Sequence, residues 1–398
     1  MKVPQVAVLD LGTSRVVCAL VAPDGDGGLK VLARADVPCK GLRRGIPTDL
    51  EETAKSIDTA VREVQKATGI EIDGLVLSVS GAHLEGVNGQ GYKPIVPRGR
   101  HITYQDVMEV VTHSRSLVLP PDREQVQAIP REFKVDGLRD VKRPIGMAGG
   151  TLEAVTYIVT GSVAAVGNAE KAVNMTGWRV EQMVLGPLAA GLGVLSQEEI
   201  DAGAAVVDLG AGTTDVGVFT GGSLTSAVCL PVGSALVTSD VSKLLKTSPE
   251  EAERLKLDVA IALSRGVSER ETVQVTQLGS MEARPLQRKV LCEIVESRLR
   301  ETAVMVSQHI EKAGLAGVLP GGVVLTGGGA RLRDVDKLFE EELRDTKVRI
   351  AQEPETGSAV ALGLARFVLH CHDELAPASG PQGWKDRVRT LYSVFRKE

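Results

Sequence analysis

"GAAVVDLGAGTTDVGVF", residues 203–219, is an apolar run that stops at Asp208, passes through small residues and resumes as a second apolar run. It reads as strand, turn, strand, with Gly210 and Gly212 supplying positive φ in the turn. Turn chemistry alone selects the same residue types. Residues 6–21, "VAVLDLGTSRVVCALV", repeat the pattern around Asp10, Gly12, Thr13 and Ser14, and Asp10 lies 198 positions before Asp208. No solenoid has so long a period, so the repeat predicts two similar lobes. A third glycine cluster, "GGVVLTGGGARL" at 321–332, ends a strand in Gly327, Gly328 and Gly329. Leu332, Val335, Leu338, Phe339 and Leu343 then recur at helical spacing.

The 398 residues, 43% hydrophobic and 24% charged, are enough for two to four compact units of the α/β class. No apolar run reaches about 18 residues, which predicts no membrane-spanning helix. The N-terminus enters a strand without a signal-peptide pattern, and the expected location is the cytoplasm. Cysteines 18, 39, 229, 292 and 371 form no C-x-x-C pair and read as reduced, structural thiols. "HCHDE" at 370–374 has no second ligand cluster, and a polar helix end is preferred over a metal site. Residues 384–398 carry a net charge of +3 and the remainder −8. A basic tail on an acidic body predicts an acidic partner surface, and nothing here predicts nucleic acid.

Along the chain, strands are expected at 3–11, 15–22 and 29–36, then a helix from Asp49 to Ala67 with Leu50, Ala54, Ile57, Val61 and Val64 on one face. A buried strand at 74–81 follows. Residues 84–160, with prolines at 94, 97, 120, 121, 130 and 144, read as an inserted subdomain of short strands around one or two helices. The first lobe then comprises 1–83 and 161–200, and the core of the second 201–226 and 301–370. Residues 227–300 form a helix-rich second insertion, and 371–383 a Pro, Ala and Gly-rich linker.

A phosphate tail needs backbone N–H donors, side chains too small to obstruct them, and a carboxylate for Mg²⁺. D-x-G-T-S and D-x-G-x-G-T-T supply these twice, with Asp10 and Asp208 reaching the metal through its water shell. If the hairpins face each other across a cleft, each holds one side of the same triphosphate. A glycine run ahead of a helix lets a flat nucleoside lie against the backbone.

The ordered trio resembles the phosphate-1, phosphate-2 and adenosine motifs of the actin, Hsp70 and hexokinase ATPase superfamily. "GLRRGIPTDLE", "AIPREFKVDGLRDVKRPIGMAGGTLEA", "EEAERLK" and the basic C-terminus narrow the resemblance to FtsA, an actin-like bacterial cell-division family, over nearly the whole chain. The resemblance implies a two-lobed actin-like ATPase fold: duplicated ribonuclease-H-like domains, an SHS2-type inserted subdomain and a C-terminal amphipathic helix. It implies ATP and Mg²⁺ as cofactors. Asp10, Gly12, Thr13, Ser14 and Arg15 would sit at the phosphates with Asp208, Gly210, Gly212, Thr213 and Thr214. Gly327, Gly328 and Gly329 would line the adenosine beside Glu253 and Lys256, which can also be read as an i, i+3 surface pair.

Three departures stand out. Arg15 replaces the usual Lys, Ala211 replaces the usual Gly, and Gly186 stands where hydrolytic relatives carry an acid that positions water. Without that acid, orientation of water falls to Asp208, Asp215 or another group, with Asp208 the first catalytic candidate. ATP binding with weak or absent hydrolysis is expected. The alternatives are a pilus-assembly adaptor like PilM or a small-metabolite kinase.

"GWKDRVRTLYSVFRKE" puts Trp384, Val388, Leu391, Tyr392 and Phe395 on one helical face, with basic residues on or near the other. Such a helix reads as a membrane-surface anchor; docking on this chain's own core or in a partner's groove is the alternative. The FtsA resemblance implies a peripheral location on the inner face of the cell membrane at the division site, and tethering of the tubulin-like protein FtsZ. It places the acidic FtsZ C-terminal peptide near Arg284 and Arg298, head-to-tail self-association along the polymer, and other division proteins on 84–160. On the apolar spacing of Leu291, Ile294, Val295 and Leu299 alone, the same helix is a core-packed one with a basic rim. Removal of residues 384–398 is expected to abolish sedimentation with anionic liposomes and leave ATP affinity intact; undiminished sedimentation would refute the tail assignment.

Overall fold

The computed structural model describes residues 5–24, 28–279, 282–315, 317–344 and 346–370. The expected linker at 371–383 and amphipathic helix at 384–398 lie outside the described residues, as does most of "HCHDE". The first lobe opens on a meander of β1 (Val6–Leu11), β2 (Arg15–Pro23) and β3 (Leu29–Pro38). A short hairpin, β4 (Leu42–Arg43) and β5 (Ile46–Pro47), leads to α1 (Leu50–Thr68). Asp49 caps α1 by accepting from the N–H groups of Glu51 and Glu52, and Gly69 ends it at φ +68°. The chain returns as β6 (Gly74–Val79), parallel to β1.

The insertion consists of β7 (Glu85–Pro94), α2 (Tyr104–Ser114), β8 (Arg123–Val135), β9 (Leu138–Val141) and β10 (Thr151–Ser162), in the sheet order β7-β10-β8-β9. Its strands are longer than the prolines suggested, with 13 residues in β8 and 12 in β10. Pro130 is accommodated in β8 because the register against β10 shifts there, between Val155 and Thr156. After α3 (Val163–Asn174) and β11 (Arg179–Leu185), helices α4 (Gly186–Val194) and α5 (Gln197–Ala202) carry the chain into the second lobe.

That lobe repeats the first. A meander of β12 (Ala204–Leu209), β13 (Thr214–Thr220) and β14 (Ser223–Leu230) is followed by α6 (Ser234–Leu245) and α7 (Pro249–Asp258). Then come a ribbon of β15 (Thr272–Thr276) and β16 (Ala283–Gln287), and the long α8 (Arg288–Lys312). The lobe ends with β17 (Val323–Thr326), α9 (Val335–Leu343), β18 (Val348–Ile350) and α10 (Ala359–His370). The sheets, β11-β6-β1-β2-β3 and β18-β17-β12-β13-β14, have one topology. Leu11 pairs with Val16 and Leu209 with Thr214, so both hairpins span the same number of residues at the 198-residue offset.

Strand alternation decides which face each side chain meets. Ala7, Leu9 and Leu11 join the outer core with α1, and Ala205, Val207 and Leu209 the outer core of the second lobe. Val6, Val8, Ala204 and Val206 share one inner core with Leu188, Ala189, Val360 and Leu364 of α4 and α10. Asp10 and Asp208 continue this inner parity and therefore face the gap between the lobes.

Helices α4 and α10 are exchanged. α4, reached from the first lobe, packs on β12, β13 and β14, whereas α10, reached from the second, packs on β1, β2 and β6. They cross in contact through glycines. A Cβ on Gly363 would lie 1.6 Å from the Ala189 carbonyl oxygen, and one on Gly193 2.0 Å from that of Ala359. Both obstacles are backbone and cannot move aside. Gly363→Ala is expected to destabilise by roughly 1–3 kcal/mol. Gly167→Ala, within α3 and with nothing within 4 Å, should stabilise by about 0.5–1 kcal/mol. Urea unfolding of the two variants measures both signs.

Candidate functional site: a nucleotide cleft

The acid-ended hairpins converge. Both line one cleft of about 1320 Å³, whose walls also include Gly327, Gly328, Gly329, Glu253 and Lys256. The hairpins touch: a Cβ on Gly212 would be 2.5 Å from Thr13 Oγ1. Gly12 and Gly210 are equally confined, with Cβ positions 2.8 and 2.9 Å from the carbonyl oxygens of Arg15 and Thr213. Gly12, Gly210 and Gly212 are absent from the positive-φ residues, as is Ala211. The expectation of positive φ at Gly210 and Gly212 is therefore corrected. These glycines admit close approach of backbones, and negative φ is why Ala211 is tolerated. Positive φ occurs instead at Gly327, φ +84°, where a Cβ would be 2.1 Å from Asp208 Oδ1.

At the floor, Asp10 accepts from Ser358 Oγ at 2.6 Å and Ser78 Oγ at 3.0 Å. Burial raises its pKa, opposed by those hydroxyls and then by the Arg15 charge. Burial, and then the charges of Asp215 and Asp10, push Asp208 up to about 8. Asp215, 5% exposed and opposite Asp208 in the β12–β13 register, is pushed by burial up to about 6, although Ser80, Cys229 and Thr213 hydrogen-bond to it and oppose the rise. Asp215 Oδ1 is buried without a partner. Asp10, Asp208 and Asp215 line one recess, Asp215 with a buried oxygen that has no partner, and burial is the largest cause of the raised pKa at each.

Gly186 opens α4 at this point. A Cβ there would lie 2.0 Å from Ser80 Oγ and 3.4 Å from Asp215 Oδ2, so Ser80 fills the space a larger residue would need.

The remaining residues are placed as follows. Thr13 Oγ1 accepts from Gly45 N–H at 3.1 Å, and Ser14 and Thr213 line the cleft. Thr214 does not line it, because its hydroxyl donates to the Val232 carbonyl at 2.9 Å behind the turn. Arg15 lines the cleft, but its guanidinium pairs with Asp36 and donates to the Gly357 carbonyl at 3.2 Å. Lys256 donates to Glu253 Oε2 at 2.7 Å and Thr238 Oγ1 at 3.0 Å, and Thr238 donates to the same carboxylate. The i, i+3 pair is thus real and forms part of the cleft wall. Arg284 is exposed on β16. Arg298 on α8 donates to Asp240 at 2.6 Å and pairs with Glu301, while Leu291, Val295 and Leu299 enter the second-lobe core.

Sequence reasoning missed Ser78, Ser80 and Ser358. Hydroxyls at a strand end in "VLSVSG" and ahead of a helix in "ETGSAV" were the available signals.

Duplicated lobes, exchanged helices and a shared acidic cleft define the two-lobed actin-like class. Across 90% of this chain and 97% of that one, the fold superimposes on the structure titled "PilM-PilN type IV pilus biogenesis complex" with a TM-score of 0.63 at 17% identity. MreB5 of Spiroplasma citri bound to ADP superimposes with a TM-score of 0.57 at 13% identity, over 91% of this chain and 95% of that one. Among sequences, the cell division protein FtsA of Borreliella burgdorferi is 35% identical over 334 residues, 84% of this chain and 81% of the relative. The family model "Cell division protein FtsA" matches residues 205–363, and "SHS2 domain inserted in FTSA" matches 81–160. The chain belongs to the FtsA family of cell division proteins.

The cleft makes stability depend on pH. Unfolded, Asp208 titrates near 3.8; folded, burial holds its proton up to about 8. The folded chain binds more protons throughout that window, so its stability falls as pH rises across it. Asp208→Asn removes this liability. Denaturation of the nucleotide-free protein should show a flatter pH dependence for the variant, with a stability above that of wild type at pH 8.

Proposed function

We propose that this chain is an ATP-binding, self-associating division protein. It tethers FtsZ to the inner face of the cytoplasmic membrane through its C-terminal amphipathic helix and helps to assemble the septum machinery. The observation that carries the nucleotide part is the contact of two acid-ended glycine hairpins across one cleft. The residues fit Mg²⁺·ATP: Asp10 and Asp208 would hold the cation, beside the buried Asp215 Oδ1 that has no hydrogen-bond partner. The backbone of residues 12–14 and 210–213 would face the phosphates. Gly327 and Gly329, each with its Cβ position filled by the Asp208 strand and turn, leave a flat wall, and Gly328 is open to the cleft. When bound, Mg²⁺ would neutralise phosphate charge and relieve the repulsion among the carboxylates.

Hydrolysis is weak in this reading. A Cβ on Gly186 would meet Ser80 Oγ at 2.0 Å, and no acidic side chain stands at that position. ATP therefore acts as a conformational ligand that closes the lobes around the α4–α10 crossing and favours head-to-tail association. Membership of the FtsA family supports the tether, the FtsZ peptide and recruitment of division proteins through the SHS2 insertion. Arg284 is free to meet an acidic peptide, and Arg298 would exchange Asp240 and Glu301 for peptide carboxylates.

Calorimetric titration of Mg²⁺·ATP tests the site. Asp10→Ala and Gly327→Val should each weaken affinity at least about tenfold, and wild-type affinity in both would remove the nucleotide from this cleft.

A further inference from the structure

Residues 353–358 leave β18 of the second lobe and enter α10, which lies on the first. They are tied to the first lobe at three points. Arg15 Nη2 donates to the Gly357 carbonyl at 3.2 Å, Arg34 Nη1 to the Glu355 carbonyl at 3.1 Å, and Ser358 Oγ to Asp10 Oδ2 at 2.6 Å. The other arm of Arg15 is held by Asp36, on the neighbouring strand β3. Gly357 has φ +78°, and a Cβ there would lie 3.1 Å from Arg34 Nη1, so the segment runs flat against that guanidinium. Thr356 Oγ1 donates to the Ser358 carbonyl at 2.8 Å and stiffens the last turn of the segment.

We propose that residues 353–358 form a strap between the lobes, clamped by Arg15 and Arg34, and that Arg15 is a positioning residue for Asp10 instead of a phosphate ligand. The inference rests on the nucleotide-binding reading of the cleft. Its physical basis is the fork. A planar guanidinium can hold a carboxylate on one nitrogen and a carbonyl on another, which fixes the direction of both bonds. An ammonium is a point charge without that directionality, so a phosphate ligand would tolerate Lys at this position and a clamp would not. An exposed Arg–Asp pair contributes little stability by itself. Its effect here is to order the strap, which sets Ser358 against the carboxylate that would face the cation, and sub-ångström placement of such a group matters for binding.

The test compares Arg15→Ala, Arg15→Lys and Arg34→Ala in the full chain, by hydrogen exchange of residues 353–358 without nucleotide and by titration with Mg²⁺·ATP. All three should speed exchange of the strap at least fivefold, and all three should weaken ATP binding by three- to tenfold. Arg34 lies outside the cleft lining, so its loss acts on ATP only through the strap. Wild-type exchange and affinity in Arg15→Lys, with affinity lost in Arg15→Ala, would make Arg15 a phosphate ligand and overturn the proposal. Unchanged strap exchange in Arg15→Ala or Arg34→Ala would overturn it as well. The exchange measurement needs no nucleotide, so failure of the wild-type protein to bind ATP would sink the nucleotide reading and leave the clamp separately decided.

Discussion

The crossing of α4 and α10 is the constraint on which the rest of the molecule depends. Glycines at 193 and 363 let each helix reach the backbone of the other, which no larger residue permits at that separation. Because each helix packs on the sheet of the opposite lobe, the crossing fixes both sheets at once. It also brings two helix N-termini to one place: Ser358 precedes α10 beside Asp10, and Gly186 begins α4 beside Asp215. The positive ends of two helix dipoles therefore converge where the carboxylates are buried. Burial nonetheless raises the pKa values of Asp10, Asp208 and Asp215.

This cost is the kind of local instability that binding sites retain. A fold selected for stability alone would place an amide or an apolar side chain at Asp208. The acid at Asp208 costs the empty cleft stability progressively as pH rises from 3.8 to about 8, and in the proposed reading a cation with its polyanion would offset that cost. In that reading occupancy and lobe closure would be linked, because a ligand spanning both hairpins draws on donors from each lobe.

Much of this was legible in the sequence because the duplication is internal. Two strands ending in Asp at a constant offset fixed both hairpins, their equal turn lengths and the inner parity of the acids. The helix expected from Asp49 to Ala67 lies within a residue of α1 at each end, since its apolar face and capping are local chemistry. What escaped depends on contacts between distant segments. Ser78 and Ser358 are ordinary hydroxyls until the sheet order puts β6 beside β1 and α10 beneath it. Gly210 and Gly212 read as turn glycines, and only the Thr213 carbonyl against the first and the opposing Thr13 side chain against the second reveal that steric room, not positive φ, requires them. Thr214 matches the phosphate motif by type, but its hydroxyl is consumed by Val232. The long strands of the insertion were hidden by prolines that sit at a register shift or at strand ends.

The departures at Arg15 and Gly186 acquire one explanation when placed together. A hydrolytic cleft needs an acid directed at water and a flexible cation on the leaving phosphates. Here Ser80 occupies the volume beside Gly186, and the cation at residue 15 is committed to Asp36 and the Gly357 carbonyl. Arg15 thereby ties the connecting segment to the first lobe, and no acidic side chain stands at Gly186. Rapid turnover would limit the lifetime of the closed form, whereas slow turnover lets occupancy itself set how long subunits remain associated. In the proposed reading, the residues at these two positions would favour retention of nucleotide over its hydrolysis, a property suited to an anchor joined in a polymer.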